Sequence, residues 1–529
     1  MRDFQIPGRS MVVARHGMAA TSHPLATLGA IDILRQGGNA MDAAIAACAI
    51  HSAVEPGSTG IGGDCFALYC PGGHGTPIAY NGSGRTPAAA SVEWYRERGF
   101  AEIPRQSPHA VTVPGAVEAW ARLLADHGRL SLEQVLRPAV TYAREGYAVA
   151  PRMAFDWARQ RDLLMADPAS RRIFLPGDVP PGAGDVHVQT ELADTLEGIG
   201  RHGPAHFYRG AVAEDMVRTL RAGGGLHTME DFATAAGEYV TPVQSRYRGH
   251  DLFECPPNGQ GIIAQIILNI LEGLPVGEDV LSVERLHLLT EATRLGYGVR
   301  DAVVADPALS EVPVDWMLSE QLAGRLRASI DPARAMPAPP VQQPEHKDTV
   351  YITVVDKDRN AVSFINSIFH AFGSGMTAPR SGVLFHNRGQ SFVVEPGHPN
   401  CIGPAKRPMH TIIPAMLMKD GRIELSFGVM GGHYQAMGHA YFLSAVLDHG
   451  LDIQSALDLP RLFPLPGRDV VEIERPFPAA TRDGLRALGH TLVPASIPLG
   501  GGQAVRVDWA TGTLWGASDH RKDGMAMGY

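Results

Sequence analysis

The sequence predicts a mixed α/β protein, and three observations carry that prediction. Residues 350–355 and 361–367 are apolar, β-branched runs on either side of Asp356-Lys357-Asp358-Arg359-Asn360, the composition of two strands joined by a turn. Residues 26–34 place apolar side chains at helical spacing, and Asp42-Ala43-Ala44-Ile45-Ala46-Ala47 continues as a helix of small residues able to pack closely. A third apolar stretch, 262–274, reads as another helix. The 529 residues suffice for several average domains or for one large α/β unit.

Composition narrows the function classes. With 45% hydrophobic and 19% charged residues, the chain has ample material for a core. The 59 Gly and 40 Pro are spread through periodic segments and indicate turns rather than disorder. A net charge of −9 without a basic block argues against nucleic acid as a partner. The first residues lack the apolar core of a secretory signal, and no stretch reaches transmembrane length, so no membrane partner is expected. Five scattered Cys without CxxC spacing suggest neither a zinc site nor a disulfide framework.

Taken in order, Gly37-Gly38-Asn39-Ala40 stops the first helix and caps the second. Gly60-Ile61-Gly62-Gly63-Asp64 is a glycine loop with no Walker lysine after it, which is weak evidence for phosphate binding. Asn81 to Pro87 is a turn-rich loop that carries one arginine, Arg85. Residues 116–230 read as helices punctuated by Gly and Pro, with a capping-box spacing from Thr228 to Asp231 near the end. Pro256-Pro257-Asn258-Gly259-Gln260-Gly261 leads into the apolar helix and reads as scaffold. Residues 331–348 are Pro-rich, polar and short of apolar anchors, the composition of a mobile connector.

Thr349 follows that connector and opens a strand. A threonine hydroxyl is a poor nucleophile without a base. If the bond between Asp348 and Thr349 is cut, the new α-amine, with a pKa of roughly 7.7–8.0, can take the proton, so one residue supplies nucleophile and base. The alternative is an ordinary β-branched residue at the start of a hairpin. Ser367 ends the returning strand and could pair across the turn with Thr349, or be a buried serine bonded to backbone. Gly428-Val429-Met430-Gly431-Gly432-His433 reads as a strand-to-helix turn.

Two blocks carry a resemblance. D-T-V-Y-I-T-V-V-D-K-D-x-N-A-V, with F-G-S-G and S-G-V-L-F-H-N after it, resembles the start of the small subunit of the γ-glutamyltranspeptidases. L-R-Q-G-G-N-A-x-D-A-A-I-A-A, then V-E-P and G-I-G-G-D, is similar to the large-subunit signature of the same family. The resemblance implies a four-layer αββα N-terminal-nucleophile sandwich, autoprocessed into a large subunit, 1–348, and a small one, 349–529. It implies Thr349 as nucleophile, Ser367 as its hydrogen-bonding partner, and Gly431 and Gly432 as the oxyanion hole. It also implies a heterodimer of the two pieces, with a dimer of heterodimers left open, and no metal or organic cofactor. Many bacterial members are exported. This chain shows no signal, so a cytoplasmic location is expected.

Substrate contacts depart from the family pattern. The loop D-x-R-E-x-A-P, whose arginine grips an α-carboxylate, places Ser83 at that position here, with Arg85 two residues on. N-Q-M-D-D-F becomes Asn387-Arg388-Gly389-Gln390-Ser391-Phe392, so the aspartate that binds an α-ammonium is Ser391. The paired serines of K-R-P-x-S-S are His410 and Thr411, and Phe369 stands where many members have Asn. Arg85, Asn387, Ser391, His410 and Thr411 are the substrate-binding candidates. The expected substrate is a small-molecule amide. A γ-glutamyl compound is the family default, and another small carboxylate amide, oxamate-like or glutaryl, is the rival. A non-catalytic binding protein on the same fold is the third reading.

Overall fold

Alternation along the strand Val350–Val355 sets the layers. Tyr351 and Val355 enter a core with Phe66, Leu68, Ile365, Met416 and Val505, between two sheets. Ile352 and Val354 point the other way, into a cluster shared with the helices Pro24–Arg35 and Ala40–Val54. Side chains of a strand alternate between its faces, so a strand covered on both sides must be apolar throughout. The structure is a computed structural model that describes residues 8–337 and 349–529. Asp348 and residues 338–347 of the expected connector lie outside the described residues.

The first sheet runs Met525–Gly528, Met18–Thr21, Val350–Val355, Ala361–Ser367, Asp64–Cys70, Ile78–Gly82, Glu238–Val240. The second runs Val12–Ala14, Thr513–Ser518, Gly501–Asp508, Arg422–Met430, Ala415–Lys419, His250–Glu254, Val243–Tyr247. Neighbours within both are antiparallel. The helices Gly261–Glu272 and Tyr434–Leu447 cover the far side of the second sheet, against Leu417, Leu425 and Phe427. Helix, sheet, sheet, helix is the expected αββα order.

Local signals explain the joints. Gly37 adopts a left-handed φ of 99° after the first helix. Asn39 then caps the second, accepting from Met41 N (3.0 Å) and Asp42 N (3.1 Å), while Asp42 accepts from Asn39 N (2.7 Å). Every residue of Ala40–Val54 is buried, which its small side chains allow. Asp356, in the turn after the Thr349 strand, accepts from Ala40 N at 3.0 Å and so ties that hairpin to the helix N-terminus. The apolar helix stops at Glu272, two residues short of the expectation. Arg327 takes the Ile270 and Asn269 carbonyls there (3.0 and 2.8 Å) and satisfies the helix end. Among the described residues no helix is long and apolar enough to cross a membrane.

Candidate active site

The register of the two central strands pairs Val350 with Asn366, which brings Thr349 beside Ser367. Thr349 Oγ1 and Ser367 Oγ lie 3.1 Å apart, and both residues are buried. Ser367 Oγ also accepts from Phe369 N at 2.9 Å. Phe369 has a left-handed φ of 81°, uncommon for an aromatic residue, and its ring lies 3.9 Å beneath the guanidinium of Arg388.

Arg388 is the feature that sequence reasoning passed over. It is fully buried. Its Nη1 donates to Thr411 Oγ1 at 2.8 Å and its Nη2 to Ser367 Oγ at 3.4 Å. Nε has no hydrogen-bond partner among the described residues. No carboxylate of the described residues lies within ion-pair distance of it. Burial pulls its pKa down to about 9, so it remains cationic at neutral pH. A buried charge without a counter-ion is costly.

Asp64 opens the strand paired with Ser367. Its Oδ1 accepts from Gly84 N (2.9 Å) and Gly115 N (3.2 Å), and its Oδ2 from His410 Nε2 at 3.0 Å. Burial acts to raise its pKa, but His386, His410 and Arg388 outweigh that and hold it down at about 2. His410 is driven to about 3, by burial and then by Arg388. It is therefore neutral, with Nε2–H donating to Asp64 while Nδ1 faces Ile412 N at 3.4 Å.

The loop before the apolar helix, read from sequence as scaffold, clamps the site. His410 N donates to Asn258 O (2.8 Å), and Gln260 N to His410 O (2.8 Å). Gln260 Nε2 reaches both Thr411 O (2.9 Å) and Gly432 O (2.9 Å), while its Oε1 accepts from buried Arg300 at 3.0 Å. One side chain thus joins the Thr411 loop to the Gly431-Gly432 loop. Gly431 and Gly432 have φ of 119° and 57°, and a Cβ on Gly431 would come within 2.9 Å of Gly500 Cα. Replacing Gln260 by Ala leaves Arg300 and two carbonyls short of partners, at about 1–3 kcal/mol for each unsatisfied group. The Q260A protein is expected to melt earlier and to lose about tenfold in kcat with a smaller change in KM, measured by calorimetry and steady-state kinetics.

Of the expected substrate contacts, Arg85 and His410 are engaged by the protein itself. Arg85 binds Asp306 (3.2 Å) and Ala405 O (3.1 Å), because a partner far along the chain pairs with it. Both ring nitrogens of His410 face protein groups, so it orders the loop. Asn387 accepts from His370 N at 3.0 Å and donates to His370 Nδ1 and to Gln390 (2.9 Å). Ser391 Oγ has no partner among the described residues. A cavity of about 740 Å³ opens beside this group, with Gly431, His370 and Gln390 in its wall alongside Arg105, Arg152 and Arg468.

The γ-glutamyltranspeptidase family profile matches residues 26–529. The chain belongs to the γ-glutamyltranspeptidase family. A glutathione hydrolase-like proenzyme of Bacillus subtilis is 36% identical, over 98% of this chain and 99% of its own. An oxamate amidohydrolase proenzyme of Klebsiella pneumoniae is 34% identical, with the same coverage. The crystal structure of a cephalosporin acylase from Bacillus halodurans superposes with a TM-score of 0.94 at 37% identity, covering 100% of this chain and 99% of its own. As a member of this family, the protein is an autoprocessed N-terminal-nucleophile amidohydrolase of two associated subunits, and a non-catalytic reading falls away.

Proposed function

We propose that the chain cuts itself between Asp348 and Thr349 and that Thr349 then hydrolyses the monoamide of a short dicarboxylic acid, with oxamate the smallest case. Arg388 carries this reading. The family motif N-Q-M-D-D-F has Gln and Asp where this chain has Arg388 and Ser391. Both aspartates of the motif are lost, to Gln390 and Ser391, and a positive charge is gained, which favours a carboxylate on the acyl group and disfavours an α-ammonium. Arg388 touches Ser367, and Ser367 touches Thr349. A carboxylate bound there sits only a few bonds from the scissile carbonyl.

The reaction divides between the parts. The Thr349 amine accepts the hydroxyl proton as Oγ1 attacks the amide carbon. Gly431 and Gly432 N–H groups stabilise the tetrahedral oxyanion. The C–N bond breaks as the amine leaving group takes the proton, leaving a threonyl ester. Water then adds to that ester, its proton passing to the Thr349 amine, and the diacid leaves. Ser367 orients Oγ1, and Arg388 holds both Ser367 and the acyl carboxylate.

The test compares kcat/KM for oxamate, succinamate and glutaramate with that for glutathione and γ-glutamyl anilides. At least a tenfold preference for one of the dicarboxylic monoamides is expected. Arg388→Met should lower it about 10–100-fold, the worth of a charge-assisted hydrogen bond, while circular dichroism and a cooperative melt report that the variant still folds. The second reading, a γ-glutamyl hydrolase, is favoured by the similarity to the B. subtilis protein. A tenfold preference for γ-glutamyl compounds, unmoved by R388M, would establish it instead.

A further inference from the structure

On the far side of the second sheet from Thr349, the 21-residue helix Val283–Val303 carries His287 and Glu291 one turn apart, on a single face. His490, from the small-subunit part of the chain, meets them. His287 Nδ1 and His490 Nε2 lie 2.8 Å apart, and with a Glu291 oxygen they form a group of donors all within 4.8 Å of one another. All three residues are buried. His287 Nε2 faces the carbonyl of Asp331 at 2.8 Å, so Nε2 carries the proton and Nδ1 presents a lone pair toward His490. An imidazole oriented through its other nitrogen by a backbone carbonyl is the usual arrangement of a metal ligand.

His490 makes the point sharper. Its Nδ1 has no hydrogen-bond partner among the described residues. If the proton sits on Nε2, a buried lone pair is left over at Nδ1. If it sits on Nδ1, two lone pairs face each other across 2.8 Å and a buried donor is left over. A cation between the rings turns both facing lone pairs to use. Bonds of about 2.0–2.1 Å to each imidazole in tetrahedral geometry require the nitrogens to part by about half an ångström. Glu291 accepts from Met336 N (2.8 Å) and Arg294 (3.2 Å), one oxygen each, and each carboxylate oxygen keeps a second lone pair.

We propose that His287, Glu291 and His490 form a site for a divalent transition-metal ion of the zinc class, with two imidazoles, one carboxylate and one open position. The site lies under the stem 331–337, largely exposed, which bonds to it through Asp331 O and Met336 N and pairs Ala335 N with Leu488 O at 2.7 Å. That stem leads toward Thr349. The ion would therefore staple the new large-subunit end to the small subunit. The bridging, though not the site, rests on a cut before Thr349.

The test uses untagged, chelator-treated processed enzyme titrated with Co2+ and Zn2+. One Co2+ per chain with visible d–d absorption is expected, and an X-ray absorption spectrum of the wild type with two imidazoles in the metal shell. H287Q and H490Q should each weaken Co2+ binding at least tenfold, whereas H202Q/H206Q, which removes a histidine pair elsewhere on the molecule, one exposed and one half-buried, should not. Zn2+ should raise the melting temperature of the wild type and of H202Q/H206Q, and of neither H287Q nor H490Q. No stoichiometric binding by the wild type, or binding that only H202Q/H206Q removes, overturns the proposal and leaves a hydrogen-bonded histidine pair.

Discussion

A T349A protein is expected to remain a single 529-residue chain in an intact mass spectrum, while the wild type resolves into 1–348 and 349–529. The same substitution should remove amidase activity by about 10⁴–10⁶-fold, as loss of a nucleophile that acts as a unit with its base does. The two effects share a cause. Alanine removes the oxygen needed to attack both the peptide carbonyl before it and the carbonyl of an external amide. T349S separates them from misfolding, because serine keeps the oxygen and drops only the methyl group, and should still cut, more slowly. Ser367 lies 3.1 Å from Thr349 Oγ1, so S367A should slow cutting and turnover together. A wild-type chain that stays whole, or a T349A chain that is cut, would place the nucleophile elsewhere.

The second large effect is acid lability. His23, His187 and His227 have their pKa lowered from 6.5 to about 4, and His410 and His439 to about 3, in each case chiefly by burial. These rings are neutral in the folded protein and protonate readily once unfolded. Between pH 6.5 and 4 the unfolded chain therefore binds more protons, and stability rises with pH. The contribution is fully present above pH 6.5 and is lost as pH falls toward the folded values. Each ring is worth about 2 kcal/mol at pH 5, which in sum is comparable to a total stability of about 5–15 kcal/mol. Depressed carboxylates such as Asp64, near 2, add their loss only below about pH 4. The melting temperature should be nearly flat from pH 8 to 7, then fall steeply below 6. A flat profile down to pH 5 would show that these rings take up protons without unfolding.

The fold was legible where the chain's periodicity meets a covered surface. The strands Val350–Val355 and Ala361–Ser367 begin and end where the apolar β-branched runs and the turn residues place them. Ala40–Val54 was readable because a helix of alanines has no other use for so much small apolar surface. The αββα order came from the family resemblance alone, since the pairing of Met18–Thr21 with Val350–Val355 spans most of the chain and leaves no local trace. Within the site, Thr349 and Ser367 were legible because strand register relates them. Arg388 and Gln260 were not. In a sequence, a glutamine between glycines or an arginine beside one looks like a solvated turn residue, and only the folded chain reveals that both are buried hubs. The pairing of Arg85 was unreadable for the converse reason. A loop arginine gives no sign of its partner, and Asp306 lies 221 residues away.

Both sheets interleave strands from the two sides of Thr349. In one, Met18–Thr21 lies between Met525–Gly528 and Val350–Val355. In the other, Ala415–Lys419 pairs with His250–Glu254, and Thr513–Ser518 with Val12–Ala14. The cut therefore erases the covalent record of an assembly that only an intact chain can make in a unimolecular step. Before it, denaturation can be undone at any dilution. Afterwards two fragments, neither holding a complete sheet, must find each other before either can fold, and aggregation competes with that search. Maturation at that bond would set a direction in time: refolding of the cut protein is expected to depend on its concentration, and that of an uncut T349A chain is not.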